Sequence, residues 1–206
     1  MVSHLRTVFI SGGSASGKTW LADRLSAELG ACTRLTQDQF YRDRPDGGAH
    51  DRHEFNFDLP AAIHWAEMDD ALAAIRQGET VKIPVYDFSR SVRDGYETLT
   101  PKGDVLIVDG TLVLHEARIR RHADVSIYVR CPECLRRSRR EDRDVRERGR
   151  ALEKVRKRLA EHVFPAHDRF VAPSSAHADL ILDAEDVLAD PERALSRIRA
   201  LHAASA

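Results

Sequence analysis

Eight consecutive residues carry the most specific chemistry in this chain. Gly12-Gly13-Ser14-Ala15-Ser16-Gly17-Lys18-Thr19 matches the pattern G-x4-G-K-[ST]. Glycines let a backbone curl until successive N–H groups face one concavity. A helix that follows adds the partial positive charge of its N-terminus at the same spot. Lys18 is then expected to reach the β- and γ-phosphates of a triphosphate, with the Thr19 hydroxyl on Mg²⁺. Asp109 belongs to the same chemistry: it ends the apolar run Val105-Leu106-Ile107-Val108 and precedes Gly110. An acid at the carboxyl end of a buried strand lies beside the metal in nucleotide-binding sheets. Asp38 follows a short strand expected at 33–36, at its carboxyl end, where a carboxylate can orient or deprotonate an attacking hydroxyl, and it is a third candidate metal ligand. These residues predict ATP and Mg²⁺ as donor and cofactor.

Such residues work only at the ends of strands, and the hydrophobic pattern supplies them. Val8-Phe9-Ile10 is a short buried-strand run that ends in glycines. Residues 17–29 run helically with Leu21, Leu25 and Leu29 on one face, stopped by Gly30. Further strands are expected at 33–36, 81–85, 105–108, 125–129 and 180–182. The run 81–85 contains Pro84 and reads as an edge strand. Residues 37–58 read as an irregular loop, 59–77 as a helix started at Pro60, 133–163 as one long or broken helical stretch, and 191–203 as a last helix. Strands alternating with helices make this an α/β fold with a parallel sheet flanked by helices. One domain over 1–206 is expected, with an arginine-rich helical lid at about 133–160.

Composition narrows the classes. The 206 residues carry 32 basic and 33 acidic side chains, a net charge of −1. No apolar run approaches the 18 or so residues of a membrane span. Three cysteines argue against a secreted disulfide scaffold and for a cytoplasmic protein. The near-zero charge is an average. Residues 130–158 hold 13 basic and six acidic residues, a surplus of +7, against −8 for the remainder. An anion is expected to meet that segment. Its interleaved acids, Glu141, Asp142, Asp144 and Glu147, read as part of a solvated helix face, and with no interleaved aromatics they count against nucleic acid as the partner. Cys131-Pro-Glu-Cys134 is a lone CxxC with no second pair, poor evidence for zinc or redox work. Trp20 reads as helix packing. The guanine signature N-K-x-D is absent.

Beyond the phosphate loop the motifs keep a fixed order: QDQFY at 37–41, FNFDLP at 55–60, PVYDF at 84–88, DVLIVDG at 104–110, RRSRREDRDVRERGR at 136–150, PAHDRFVAP at 165–173 and ADLIL at 178–182. In this order and spacing the chain resembles the uridine kinase and phosphoribulokinase family of small-molecule kinases, and uridine kinases most closely, over about residues 5–183. The resemblance implies catalytic roles for Lys18, Asp38, Arg143 and Arg148. It implies a nucleotide site at Gly12 to Thr19 with Arg143, and Mg²⁺ ligands at Thr19, Asp38 and Asp109. It implies an acceptor site at Asp38, Tyr41, Asp58, Tyr86, Phe88, Arg140 and Arg150, in which Asp58 holds ribose hydroxyls and the two aromatics flank a nucleobase. The partners are then a nucleoside triphosphate and a small-molecule acceptor, and a homo-oligomer is compatible with the family.

The likeness breaks at two positions. Uridine kinases typically carry Tyr-Asp-Phe-x-x-His-x-Arg; here Ser91 stands at the histidine and Arg93 keeps the arginine. Arg158 falls where animal uridine kinases carry a base-reading glutamine. Arg90 and Arg158 could read an anionic group instead. The acceptor is then expected not to be a standard pyrimidine nucleoside, or uridine to be used poorly, and a sugar phosphate or pantothenate-like acid is the alternative. A regulatory ATP- or nucleic-acid-binding protein without transfer activity is the alternative of another class.

Overall fold

A computed structural model describes residues 5–43, 55–88 and 90–204. In chain order its main elements are β1 (Arg6–Gly12), α1 (Lys18–Leu29), β2 (Thr33–Thr36), α2 (Trp65–Arg76), β3 (Val81–Asp87), β4 (Val92–Leu99), β5 (Val105–Gly110) and α3 (Ala117–Arg120). Then come β6 (Val125–Arg130), α4 (Glu133–Arg146), α5 (Leu152–Arg158), α6 (Phe164–Ala166), β7 (Leu180–Asp183), α7 (Ala184–Ala189) and α8 (Pro191–Ala204).

Five strands form one parallel sheet in the order β2-β5-β1-β6-β7. Both faces are covered, which is why its central strands read as unbroken apolar runs. All six residues of β5 are buried. Phe9, Leu35, Leu106 and Val108 pack on one side with Met68, Leu72 and Ile75 of α2 and Ile119 of α3. Val8, Ile10, Val105 and Ile107 pack on the other with Leu21 and Leu25 of α1, Val187 of α7 and Ile198 of α8. The register aligns Ile10 with Asp109 and Thr36 with Asp109. The carboxyl ends of β1, β2 and β5 therefore open at one edge, the position at which such sheets bind ligands.

Two expectations are corrected. The run 81–85 does not join the parallel sheet: β3 pairs antiparallel with β4 in a separate two-stranded hairpin. β4 is mostly exposed and polar, so no apolar alternation marks it in the sequence. The helix expected from Pro60 is only a 3₁₀ turn over Pro60–Ala62, and α2 starts at Trp65. Ile63 is extended instead, bridging Tyr41, while the His64 N–H donates to the Phe40 carbonyl at 2.9 Å. The stretch from 133, read as long or broken, is broken between α4 and α5 at Gly149, whose φ is 61°. Within the loop expected at 37–58, residues 44–54 lie outside the described residues, and Gln37–Phe40 forms a 3₁₀ turn.

Candidate active site

The phosphate loop lies between β1 and α1. Gly17, with φ 99°, is the N-cap of α1 and supplies no side-chain cap, so the first helical N–H groups stay directed at the concavity. Gly13 is required for another reason. A Cβ there would meet Nη1 of Arg136 at 2.8 Å and its Cδ at 2.9 Å. Arg136 is buried beneath the loop, donates from Nε to the Cys131 carbonyl at 3.1 Å and lies over the Phe164 ring. Arg139 braces the loop from the same helix, with Nη1 at 3.4 Å from the Ala15 and Ser16 carbonyls. Arg136 and Arg139 thus serve the loop; neither borders the acceptor-side cavity described below.

The acidic residues meet at the strand ends. The Thr19 hydroxyl donates to Asp109 at 2.9 Å, and Arg34 donates to the other oxygen of Asp109 at 3.2 Å. Asp38 is fixed by a capping box: the Thr36 hydroxyl accepts from the Asp38 N–H, and Gln39 accepts from the Thr36 N–H at 3.2 Å. Gln37, buried beside it, accepts from the Leu112 N–H at 2.7 Å and ties the turn to the end of β5. Burial pushes the Asp38 carboxyl above its ordinary range, against the pull of Lys18. Burial likewise lowers Lys18, against the attraction of Asp38 and Asp109. The three groups are near enough to sense one another's charge. An oxygen-only set of Thr19, Asp38 and Asp109 fits Mg²⁺, which takes few protein ligands and keeps waters and phosphate oxygens. Among the described residues no cluster of three or more His, Cys, Asp or Glu is arranged to hold a metal by itself.

Two cavities flank this centre. One, of about 160 Å³, is bordered by Lys18, Asp38, Tyr41, Asp58, Tyr86 and Phe88, and by Arg140, Arg143, Arg148, Arg150 and Arg158. Every acceptor and transfer residue expected from the sequence except Arg90 is therefore brought together. Phe57, Ser91 and Thr111 border it as well. Phe57 was not anticipated, though it stands one residue before Asp58. It meets the Tyr41 ring edge-on at 5.7 Å, and the Arg158 guanidinium lies 5.5 Å from its centroid. Tyr41, Tyr86 and Phe88 continue the aromatic wall. Arg93 anchors that wall, donating to the Tyr41 carbonyl at 3.1 Å and to Glu67 at 2.6 Å. Ser91 is buried in a left-handed conformation, φ 60°. The second cavity, of about 350 Å³, is bordered by the loop from Ala15 to Thr19, Trp20, Arg139, Arg143, Ala184, Val187 and Leu188. Lys18, Thr19 and Arg143 border both.

Three sequence expectations fail here. Arg90 does not reach the cavity: it is exposed on the hairpin turn, 4.0 Å from both Asp87 and Asp94. Trp20 is not packed inside; it is 37% exposed, borders the second cavity and lies under Arg24. Asp144 is no solvated acid. Its side chain is 2% exposed and pairs with Arg140, Arg143, Arg148 and Arg150.

Comparison with known proteins agrees with this geometry. Residues 7–188 match the model of the Phosphoribulokinase / Uridine kinase family. A uridine kinase of Halobacterium salinarum is 34% identical over 174 residues, spanning 84% of this chain and 77% of that one. A uridine kinase of Deinococcus deserti is 33% identical over 186 residues, spanning 88% and 90%. Among solved structures, phosphoribulokinase from Rhodobacter spheroides shares the fold, with a TM-score of 0.66 at 17% identity over 88% of this chain and 70% of that one. A phosphate loop, an acid at the end of β5 and an arginine-rich segment over one crevice, together with these matches, make the chain a member of the phosphoribulokinase/uridine kinase family, a kinase that phosphorylates a hydroxyl.

Proposed function

We propose that this chain is a Mg·ATP-dependent nucleoside kinase, acting in the cytoplasm on a ribose hydroxyl. One observation carries the reading: the two cavities meet at Lys18, Thr19 and Arg143, with Asp38 on the acceptor side only. A triphosphate along the loop would present its γ-phosphate at that junction. Asp38 accepts the proton of the acceptor hydroxyl, whose oxygen forms the new bond to γ-phosphorus as the bridge to the β-phosphate breaks and ADP departs. Lys18 and Arg143, with Arg148 beside them, meet the charge spread over the equatorial oxygens. Thr19 and Asp109, with Asp38 nearby, would hold Mg²⁺, which would supply positive charge against the phosphates. Asp58 would hold vicinal ribose hydroxyls, and Phe57, Tyr86 and Phe88 would flank the base. The arginine-rich segment closes over the site and excludes water, which limits hydrolysis. No described helix is long and apolar enough to cross a membrane, and the cysteines are unpaired thiols, as a reducing compartment allows.

An ATP-consumption assay over nucleosides, sugar phosphates and pantothenate tests this, with product confirmed by mass spectrometry. Turnover of a nucleoside is expected. Asp38→Asn should lower transfer by about 10² to 10⁴-fold, the usual worth of a positioned base, while ATP still binds. Full transfer by Asp38→Asn would refute its role. A second reading, an acidic acceptor, is favoured by one feature. Arg158 borders both the acceptor cavity and a neighbouring cavity of about 350 Å³, which Arg140, Arg150 and Lys154 also border. Preferential turnover of sugar phosphates in the same panel would support it.

A further inference from the structure

Resting on the kinase reading above, we propose that Asp144 is the positioning residue of the transfer centre, the single buried carboxylate that gathers four arginines and aims them at the acceptor cavity. Its two oxygens are divided among the four. One accepts from Arg143 Nε and Nη2, each at 3.1 Å, and faces Arg148 Nη1 at 3.4 Å. The other accepts from Arg140 Nε at 3.0 Å and Arg150 Nη1 at 2.8 Å. The Arg150 N–H also donates to the Asp144 carbonyl at 3.0 Å, folding the turn at Gly149 back onto α4. All four arginines border the acceptor cavity, whereas Asp144 borders only the cavity behind them. It therefore acts through the arginines and touches no reacting atom.

The physical need is plain. Four guanidiniums converging in a part-buried site repel one another, and no substrate anion holds them before the nucleotide arrives. Arg148 is pushed down to about 10 by burial and by Arg143, still charged at neutral pH. Burial alone would raise the Asp144 carboxyl; Arg140, Arg143 and Arg148 outweigh it and hold it below its usual range. Each guanidinium has five N–H donors; Arg143 gives Asp144 two, Arg140 and Arg150 one each, and Arg148 only pairs with it, so donors remain for phosphate. The cluster keeps three net positive charges. Asp144 therefore does not blunt attraction for a triphosphate. It fixes where the charges point, and fixed donors need no reorganisation when charge develops.

The test separates positioning from folding by a split between binding and turnover. Asp144→Asn removes a negative charge, so ATP affinity measured by calorimetry should hold or tighten, within about threefold. The four arginines lose their common anchor, so kcat should fall at least 30-fold. Asp144→Glu restores the charge one methylene out of place and should recover at least tenfold of that loss. A kcat within threefold of wild type in Asp144→Asn overturns the proposal. So does a fall in kcat matched by equal weakening of ATP binding and a lower melting temperature, the signature of a loosened structure. Should Asp144→Asn not fold, Asp144→Glu decides: turnover well above Lys18→Ala supports the proposal, and turnover at that level overturns it. If wild type phosphorylates nothing in the acceptor panel, the kinase reading fails first and separately.

Discussion

Gly13→Ala tests the contact between the phosphate loop and α4 most directly. The added Cβ would lie 2.8 Å from Arg136 Nη1, 2.9 Å from Cδ and 3.2 Å from Cζ, all well inside ordinary contact. The side chain it meets has little room: Arg136 is 3% exposed, held by the Cys131 carbonyl and seated over Phe164. Overpacking of this kind costs about 1–3 kcal/mol. For a domain of this size each kcal/mol moves the melting temperature about 2–4 °C, so a drop of about 2–12 °C is expected. If the loop yields instead, the cost falls on nucleotide binding, at about tenfold in affinity per 1.4 kcal/mol. Melting curves without ligand and calorimetry with Mg·ATP therefore share the penalty between them. A double-mutant cycle with Arg136→Ala isolates the clash, because the shortened side chain gives Cβ space. The double variant should be better than the sum of the two singles by about 1–3 kcal/mol. Unchanged melting and ATP affinity in Gly13→Ala, or strict additivity in the cycle, would refute the reasoning.

Two further outcomes follow from the same site. Burial, with the Asp109 charge adding to it, raises Asp38 above 3.8, so the proton that must be absent from a base is lost only at higher pH. The acid limb of kcat/KM should therefore have its midpoint above 3.8, activity falling as pH drops through it; a limb at or below 3.8 in protein that stays folded would contradict Asp38 as the base. Arg158→Gln should change the acceptor KM at least fivefold while moving the ATP KM less than twofold, since Arg158 borders the acceptor cavity and not the nucleotide one. Equal movement of both constants would remove Arg158 from acceptor recognition.

Much of the centre is legible in the chain because it depends on fixed local spacing. Gly12 to Thr19 must be contiguous to curl around a phosphate, and Asp109 must stand at the carboxyl end of its strand. Residues 105–108 read as a strand and are one, since both faces of the sheet are covered there and the apolar signal is continuous; 33–36 is a strand as expected, with burial that alternates. The misses share a different cause. β4 owes its existence to pairing with β3 and leaves five of its eight residues exposed, so its own composition says nothing. Asp144 sits near Asp142 and Glu147, which do face solvent, and the turn at Gly149, which brings Arg148 and Arg150 back, makes it a buried anchor. Arg90 carries the right charge, but two aspartates on its own hairpin claim it. A guanidinium is long enough to choose among partners, and spacing along the chain does not record that choice.

Helix α4 grips the phosphate loop through Arg136 and Arg139 and lines the acceptor cavity through Arg140 and Arg143. The four residues fall within about two helical turns. Donor and acceptor are thus thermodynamically linked through one rigid lever. Whatever free energy the nucleotide contributes by seating that lever, the acceptor finds already in place, and the reverse holds by the same factor. The order in which the two substrates load then leaves their joint affinity unchanged, and synergy between them is a property of α4.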